Sequence, residues 1–390
     1  MNENIRRIPR RAARPEPAET VRGGMDFPLL ALTLMLLLFG LVMVFSASFP
    51  SAYYEGHSPA YYFIRQAGFA AFGAFLMIVC SRIPMATYRR YTVLIFLLSM
   101  AALALVPIIG TEANGARRWI DLKVFQFQPS EAVKLAVILM FANMICNTRA
   151  QMKTFKYGVL PYAAILIAII GLLALEPHLS CAIIICALAA VMLFVGGMRW
   201  QYLVGAVGAG AALIYVASKT MSYVQERIAV WRDPFGPAIG DPLYDKAYQI
   251  KQSLWAVGSG GFTGLGLGEG RQKFLYLPEE HNDYIFAILC EELGLIGALA
   301  VLALFALLIC RGYWIALHTP DRYSFLVAVG VTTLLAVQVL LNVAVVTNFI
   351  PCTGISLPFF SYGGTALVLQ LAEMGILLSI SREIPARRST

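Results

Sequence analysis

Uninterrupted apolar runs of about 20 residues constrain this chain more than any other feature. A hydrocarbon core roughly 30 Å thick takes about 20 helical residues to cross. Ten such runs occur, at about 27–47, 65–80, 91–109, 130–147, 158–175, 179–196, 201–218, 284–310, 323–345 and 362–380. They are continuous rather than alternating, and backbone groups in lipid must be paired within their own segment, so each reads as a helix. The expected fold is all-α integral membrane: a ten-transmembrane-helix bundle with one large extracytoplasmic loop between helices 7 and 8. Composition agrees, since 59% of the 390 residues are hydrophobic and only 13% are charged. A soluble domain is excluded.

Lysine and arginine set the expected orientation. With residues 1–25 inside, the same side collects Arg82, Arg89, Arg90, Arg149, Lys153, Lys156, Arg199, Arg311 and Arg322. The short outside loops hold chiefly Arg65, Arg117, Arg118 and Lys123. Both termini are therefore expected in the cytoplasm and the 219–283 loop outside. Residues 1–25 read as a disordered basic tail, 26–381 as one membrane domain and 382–390 as a second cytoplasmic tail. The run after Phe27 is too long for a cleaved signal peptide and lacks a small-residue cleavage pattern. The net charge of +8 is mostly this topology signal; with no soluble basic domain to carry it, nucleic acid is not an expected partner. The seven cysteines make no CxxC pair and read as small apolar packing residues rather than disulfides or metal ligands.

Several outside segments break the apolar pattern. Arg117-Arg118-Trp119 places two arginines where the topology disfavours them. They are either headgroup anchors beside Trp119 or an anion clamp, because guanidinium forks bind phosphate bidentately. Pro129-Ser130-Glu131 opens the fourth span with Pro, a capping Ser and an acid at the positive end of the dipole. Glu131 and Lys134, three apart, can neutralise one another within the membrane, as a lock between helices or as part of a ligand site. Two prolines and a glycine pair interrupt Asn348–Gly364, and irregular backbone at membrane depth survives only where it is buried in protein or lines a cavity. That segment is expected to wall a site, with Ser361 and Tyr362 among its substrate-binding candidates. In Glu176-Pro177-His178-Leu179-Ser180, His178 reads as a hydrogen-bonded loop residue.

The candidate catalytic group is Asp283, at the boundary between the polar, glycine-rich end of the 219–283 loop and the eighth span. An acid there is expensive and is placed to act on something held in the bilayer. The glycines of Gly258–Gly268 lack the βαβ setting of a dinucleotide loop. They read as tight turns or as points of close approach to a bulky headgroup. Lys273 adds a cation nearby. Glu291, eight residues past Asp283 and about 12 Å deeper on a helix, is too far to share its proton. It and Glu292 read as interhelical hydrogen-bond partners.

Together these elements resemble the SEDS family (shape, elongation, division and sporulation), the bacterial integral-membrane peptidoglycan glycosyltransferases. The resemblance spans nearly all of residues 25–380 and is carried by Asn114–Asp121, Gln128–Lys134, Tyr248–Gly268, Tyr276–Gly294 and Pro351–Gly364. It is nearest the FtsW and sporulation branch. It implies a lipid II polymerase of the bacterial cytoplasmic membrane, working in cell division or sporulation. Asp283 maps onto the essential aspartate in a Pro-Glu-x-His-Asn-Asp setting, which adds His281; Arg117, Arg118, Glu131 and Lys134 map onto the arginine loop and the acid–base pair. Where relatives commonly read Pro-Asp-Leu-Gly-Thr, this chain has Pro177-His178-Leu179-Ser180-Cys181, so no role carries over to His178. Implied partners are lipid II, undecaprenyl-pyrophosphate-linked glycan, a class B penicillin-binding protein and other division or sporulation proteins. A divalent cation (Mg or Mn) is the one cofactor anticipated, with no organic cofactor and no metal ligands specified. Asp283 is the expected general base. Its pKa should be raised by burial beside Glu279 and Glu280, with Arg117, Arg118 or Lys273 facing the leaving pyrophosphate. A lipid II flippase or other transporter is the rival reading, since Glu131, Lys134, Glu292 and Glu373 could line a polar path. Against it, no inverted repeat is visible and the polar groups crowd one face. A pure scaffold would not need Asp283 or the arginine pair.

Overall fold

The computed structural model describes residues 23–385 apart from 114–115, 122, 124–125 and 177. Most of the expected 1–25 tail, residues 386–390, and the motif positions Asn114, Gly115, Leu122 and Pro177 therefore lie outside the described residues. The elements run α1 (Phe27–Tyr54), α2 (Tyr61–Arg82), α3 (Met85–Ile109), β1 (Thr111–Ala113), β2 (Ala116–Asp121), β3 (Gln126–Phe127), α4 (Pro129–Asn147), α5 (Phe155–Gly158) and α6 (Leu160–Leu175). They continue with α7 (Leu179–Gly196), α8 (Trp200–Thr220), α9 (Ser222–Arg232), α10 (Tyr244–Ser259), α11 (Ile285–His318), α12 (Arg322–Val346) and α13 (Gly364–Ser381). Among the described residues nine helical stretches are long and apolar enough to cross a membrane, α5 and α6 counting as one. The expected seventh span, 201–218, falls on α8, a helix that is not one of these nine. The protein is a multi-pass helical membrane protein.

Two helices outrun their apolar stretches for the same reason. Helix α1 was expected to stop near residue 47 but continues to Tyr54, because Ser46, Ser48 and Ser51 on its last turns are buried by protein. Its start is capped by Asp26, whose carboxylate accepts from Leu29 N at 2.8 Å and also holds Arg311 in a two-pronged ion pair. That pairing lets α11 run eight residues past the expected end at 310. Helix α11 is broken at Gly294, which adopts φ 66 and ψ −168. Every residue from Ile285 to Glu292 is buried, so the segment before the break is held in protein and the segment after it reaches His318.

The expected hydrophilic 219–283 loop is not a detached soluble part. Helix α10 buries Ala247, Ile250, Ser253 and Ala256 and lies along α11. Ser253 Oγ donates to Val346 O, a carbonyl left open at the end of α12. The glycine-rich stretch then wraps the break in α11. Leu265 N and Gly266 N donate to the carbonyls of Glu291 and Glu292, while Leu295 N and Ile296 N donate to Gly261 and Phe262. These are the groups a broken helix leaves without partners. A Cβ on Gly264 would run into the Glu292 carbonyl, and one on Gly260 into the Cys290 carbonyl. Gly260 and Gly264 thus serve close approach to the protein's own backbone, and Gly261, Gly264, Gly266 and Gly268 take the positive φ of the tight turns that were one of the two expected readings. Residues 111–127 form a three-stranded antiparallel sheet, β1-β2-β3, where helices and loops alone were anticipated.

Candidate active site

Three irregular segments meet where Asp283 leaves the loop and α11 begins. Asp283 is partly buried two residues before the helix. Its backbone carbonyl accepts from Asn342 Nδ2 at 2.8 Å, and the same amide donates to Ile355 O at 2.6 Å. Asn342 is fully buried in α12, so a single side chain ties the Asp283 segment to the irregular 347–363 stretch. Gly354 then passes beneath the carboxylate: it sits at φ 61, and a Cβ there would lie 3.0 Å from Asp283 Oδ2. Ser361 and Tyr362 hold the segment from the other side. Ser361 Oγ donates to Asn282 O at 2.7 Å and Tyr362 N to His281 O at 2.8 Å. The interrupted stretch is therefore tied into protein around Gly354–Tyr362, as irregular backbone at this depth requires.

The Asp283 carboxyl is pushed up to about 6, first by burial and then by the neighbouring Glu279, with Arg118 pulling it down. Glu280 does not take the part expected of it. Its carboxylate accepts from Ser51 of α1 and lies 3.3 Å from His281 Nδ1. Glu279 is presented by a left-handed backbone, φ 57, a conformation that costs a non-glycine residue of order 1 kcal/mol or more. His281 packs at a tilt against Tyr62 and edge-on to Tyr362, with ring centroids 4.6 and 5.6 Å apart. Beside these rings a polar cavity of about 310 Å³ is lined by Ser51, Glu55, Tyr62, Glu279, His281 and Asn282.

The arginine pair is separated by its secondary structure. Arg117 and Arg118 are consecutive on strand β2, and side chains on a strand alternate between faces. Arg117 is exposed and shares its face with Trp119; Arg118 is partly buried and turns toward the 176–180 loop. There its Nε donates to Glu176 O at 3.4 Å. A side-by-side clamp is not what this geometry builds. Arg118 alone falls within electrostatic reach of Asp283.

Glu131 and Lys134 form a buried ion pair at 2.7 Å on the first turns of α4, and Glu373 of α13 lies within electrostatic reach of Lys134. Lys273 is placed elsewhere. Its ammonium is sealed from solvent and donates to Glu292 at 2.6 Å, Gly268 O at 2.6 Å and Ser46 at 3.2 Å. All three of its protons are spent inside the protein, so it does not face a leaving group beside Asp283. Glu292 also accepts from Ser46 and from Gly268 N, and Glu291 from Arg271 N and Gln272 N. Sequence reading missed Asn342, whose signal was a lone Asn inside an apolar span; it singled out the Glu176–Ser180 segment and the Asn348–Gly364 wall but gave no role to Glu176 or Gly354 within them. Among the described residues no three His, Cys, Asp or Glu side chains converge to hold a metal ion. The described side chains thus do not fit a divalent cation.

Comparison with known proteins places this geometry. A family model described as "Cell cycle protein", covering FtsW, RodA and SpoVE, matches residues 27–385. Stage V sporulation protein E of Bacillus subtilis (strain 168) is 38% identical over 369 residues, covering 93% of this chain and 98% of that protein. A probable peptidoglycan glycosyltransferase FtsW of Geobacter sulfurreducens is 39% identical over 361 residues, covering 92% and 95%. Among solved structures, a chain from a peptidoglycan synthase complex that coordinates polymerization and crosslinking superposes with a TM-score of 0.77 at 28% identity, covering 92% and 98%. The rod shape determining protein RodA of Thermus thermophilus gives 0.69 at 27% identity, covering 93% and 98%.

Proposed function

The chain belongs to the FtsW, RodA and SpoVE family and is a peptidoglycan glycosyltransferase of cell division or sporulation, and from that premise we propose that Asp283 is its general base. The substrate is lipid II. The acceptor sugar 4-hydroxyl loses its proton to Asp283 as its oxygen attacks C1 of the donor. The C1–oxygen bond to the lipid pyrophosphate breaks and carries its electron pair to the leaving group, with inversion and no covalent enzyme intermediate. Arg118, on the same side as Asp283, is the cation that meets the developing pyrophosphate charge. Arg117 and Trp119, on the other face of β2, anchor the hairpin at the headgroups. Glu131–Lys134 and the Lys273–Glu292 pair hold the bundle and the loop.

The observation that supports this reading is a carboxylate at the boundary where α11 begins, its segment fixed by Asn342 and closely backed by Gly354, with burial and Glu279 pushing its pKa up. The base must be ionised to work. The rate should hold steady above pH 7 and fall toward tenfold per unit below about 6, where Asp283 takes up a proton. A rate of lipid II polymerisation that is flat from pH 8 to pH 5 would contradict it. Polymerisation by the chain reconstituted with and without a class B penicillin-binding protein tests that partnership; equal rates count against it.

The membrane is the bacterial cytoplasmic membrane, with both termini in the cytoplasm and the Asp283 end outside. A cysteine placed at exposed Asp241 should react with a membrane-impermeant maleimide on intact cells, and one placed at position 24 should not. The reverse pattern would invert the topology.

A further inference from the structure

The irregular stretch that leads to Gly354 is gripped by side chains of α9, a helix of the 219–283 loop that has so far been given no role. Asn348 O accepts from Trp231 Nε1 at 3.1 Å, and Cys352 O accepts from the Arg227 guanidinium. The first contact is returned, since Asn348 Nδ2 donates to Trp231 O at 3.2 Å. Asn348 has a left-handed backbone, φ 55, where asparagine is among the few non-glycine residues found. Cys352 is the joint. Its side chain packs against the small apolar cluster that joins α9 to α10, Val230 with Ala247 and Ile250, and its Sγ accepts from the Tyr284 hydroxyl at 3.2 Å. Tyr284 directly follows Asp283, and Gly354 lies two residues past Cys352. One residue therefore links α9 to the chain on both sides of the Asp283 carboxylate. Ser180 and Asn342 hold the next part of the stretch, at Thr353 O and Ile355 O; the α9 side chains hold the part before it.

We propose that α9 is a brace for glycosyl transfer: Arg227 and Trp231 are positioning residues that hold the Gly354 backbone against Asp283 and so keep water off one side of its carboxylate. This rests on Asp283 acting as the base. The cover matters because Asp283 is only partly buried, while Gly354 packs so closely that a Cβ there would lie 3.0 Å from Oδ2. Water admitted at that contact would solvate the carboxylate and favour its charged form. Burial is also the first cause that lifts the group to about 6. The charged and titratable groups facing Asp283 are Glu279 from its own segment, Arg118 from β2 and the adjoining Tyr284. From α9, Arg227 faces Tyr284; the wall itself brings only the Gly354 backbone to the carboxylate.

The test is the pH dependence of kcat/KM for lipid II polymerisation by the full-length protein. Trp231→Phe removes one N–H and keeps an aromatic ring and the net charge. With the wall released, Asp283 is better hydrated and its pKa falls toward the ordinary carboxylate range. The acid limb should then move down by about half a pH unit or more, with a lower plateau from the weaker base. Arg227→Met should move it the same way. The sign separates bracing from a plain charge effect, because deleting a cation near a carboxylate raises its pKa and would move the limb up. A merely structural role would lower the rate and leave the limb where it was. A limb that stays in place or moves up in Trp231→Phe overturns the proposal. Should that variant not fold, the same result in Arg227→Met overturns it equally. Asp283→Asn, run alongside, separates this from the parent reading: if it polymerises at the wild-type rate, both ideas fall together. If it is inactive while the limbs stay fixed, only the brace falls.

Discussion

A lysine such as Lys273 can be kept charged inside a protein only if every proton finds an acceptor and the charge finds a counter-ion. Glu292, Ser46 and the Gly268 carbonyl supply both. Removing one member strands the other, which typically costs about 3–5 kcal/mol, whereas replacing the pair by apolar groups of similar volume is often close to neutral. Lys273→Met should therefore lower the thermal midpoint sharply, and the double variant Lys273→Met/Glu292→Leu should recover most of the loss. A double variant as unstable as the single would show that the pair does more than fill and balance. At this scale the sequence was half legible. It marked Asp283 because an acid between a polar loop and an apolar run has no cheap explanation. It misjudged Lys273, since proximity in the chain says nothing about which way an ammonium turns. It also drew Arg117 and Arg118 together, because only a strand assignment reveals that adjacent side chains part company.

The loop 258–273 and the first turns of α11 form one structural unit, joined through the helix break at Gly294. Hydrogen bonds cross between them in both directions, and the glycines allow the two backbones to touch. Gly264 has φ 79 and no room for a methyl group against the Glu292 carbonyl. Gly264→Ala should cost about 1–3 kcal/mol from the backbone conformation alone, loosen the loop and depress polymerisation. Gly258, within α10 and facing open space, is the control: Gly258→Ala should be neutral or stabilising by about 0.5–1 kcal/mol. Thermal melts of the two purified variants decide this, and equal behaviour would contradict the packed-unit description. The nine membrane-crossing stretches among the described residues were readable because the bilayer demands length and continuity. Ends buried against protein were not, because a serine on α1 facing a glutamate on α11 looks in sequence like the end of a span. The β-hairpin was hidden for a related reason: short strands rich in Arg and Asp carry almost no period-2 signal.

At the scale of the molecule, the bundle gathers the Asp283 carboxylate, an arginine and an interrupted wall at one end of the spans. The opposite end carries the Asp26–Arg311 ion pair. That asymmetry suits an enzyme working on a lipid-linked substrate from one face better than a pathway through the protein. The most direct measurement is glycan synthesis from purified lipid II by wild type and by Asp283→Asn, with both shown to be equally folded. The amide keeps the volume and the hydrogen-bonding reach of the acid but cannot take the hydroxyl proton. Loss of a general base typically costs about 10²–10⁴ in rate, and a fall of that order with the fold intact is the predicted result. Polymerisation by Asp283→Asn at the wild-type rate would contradict the account.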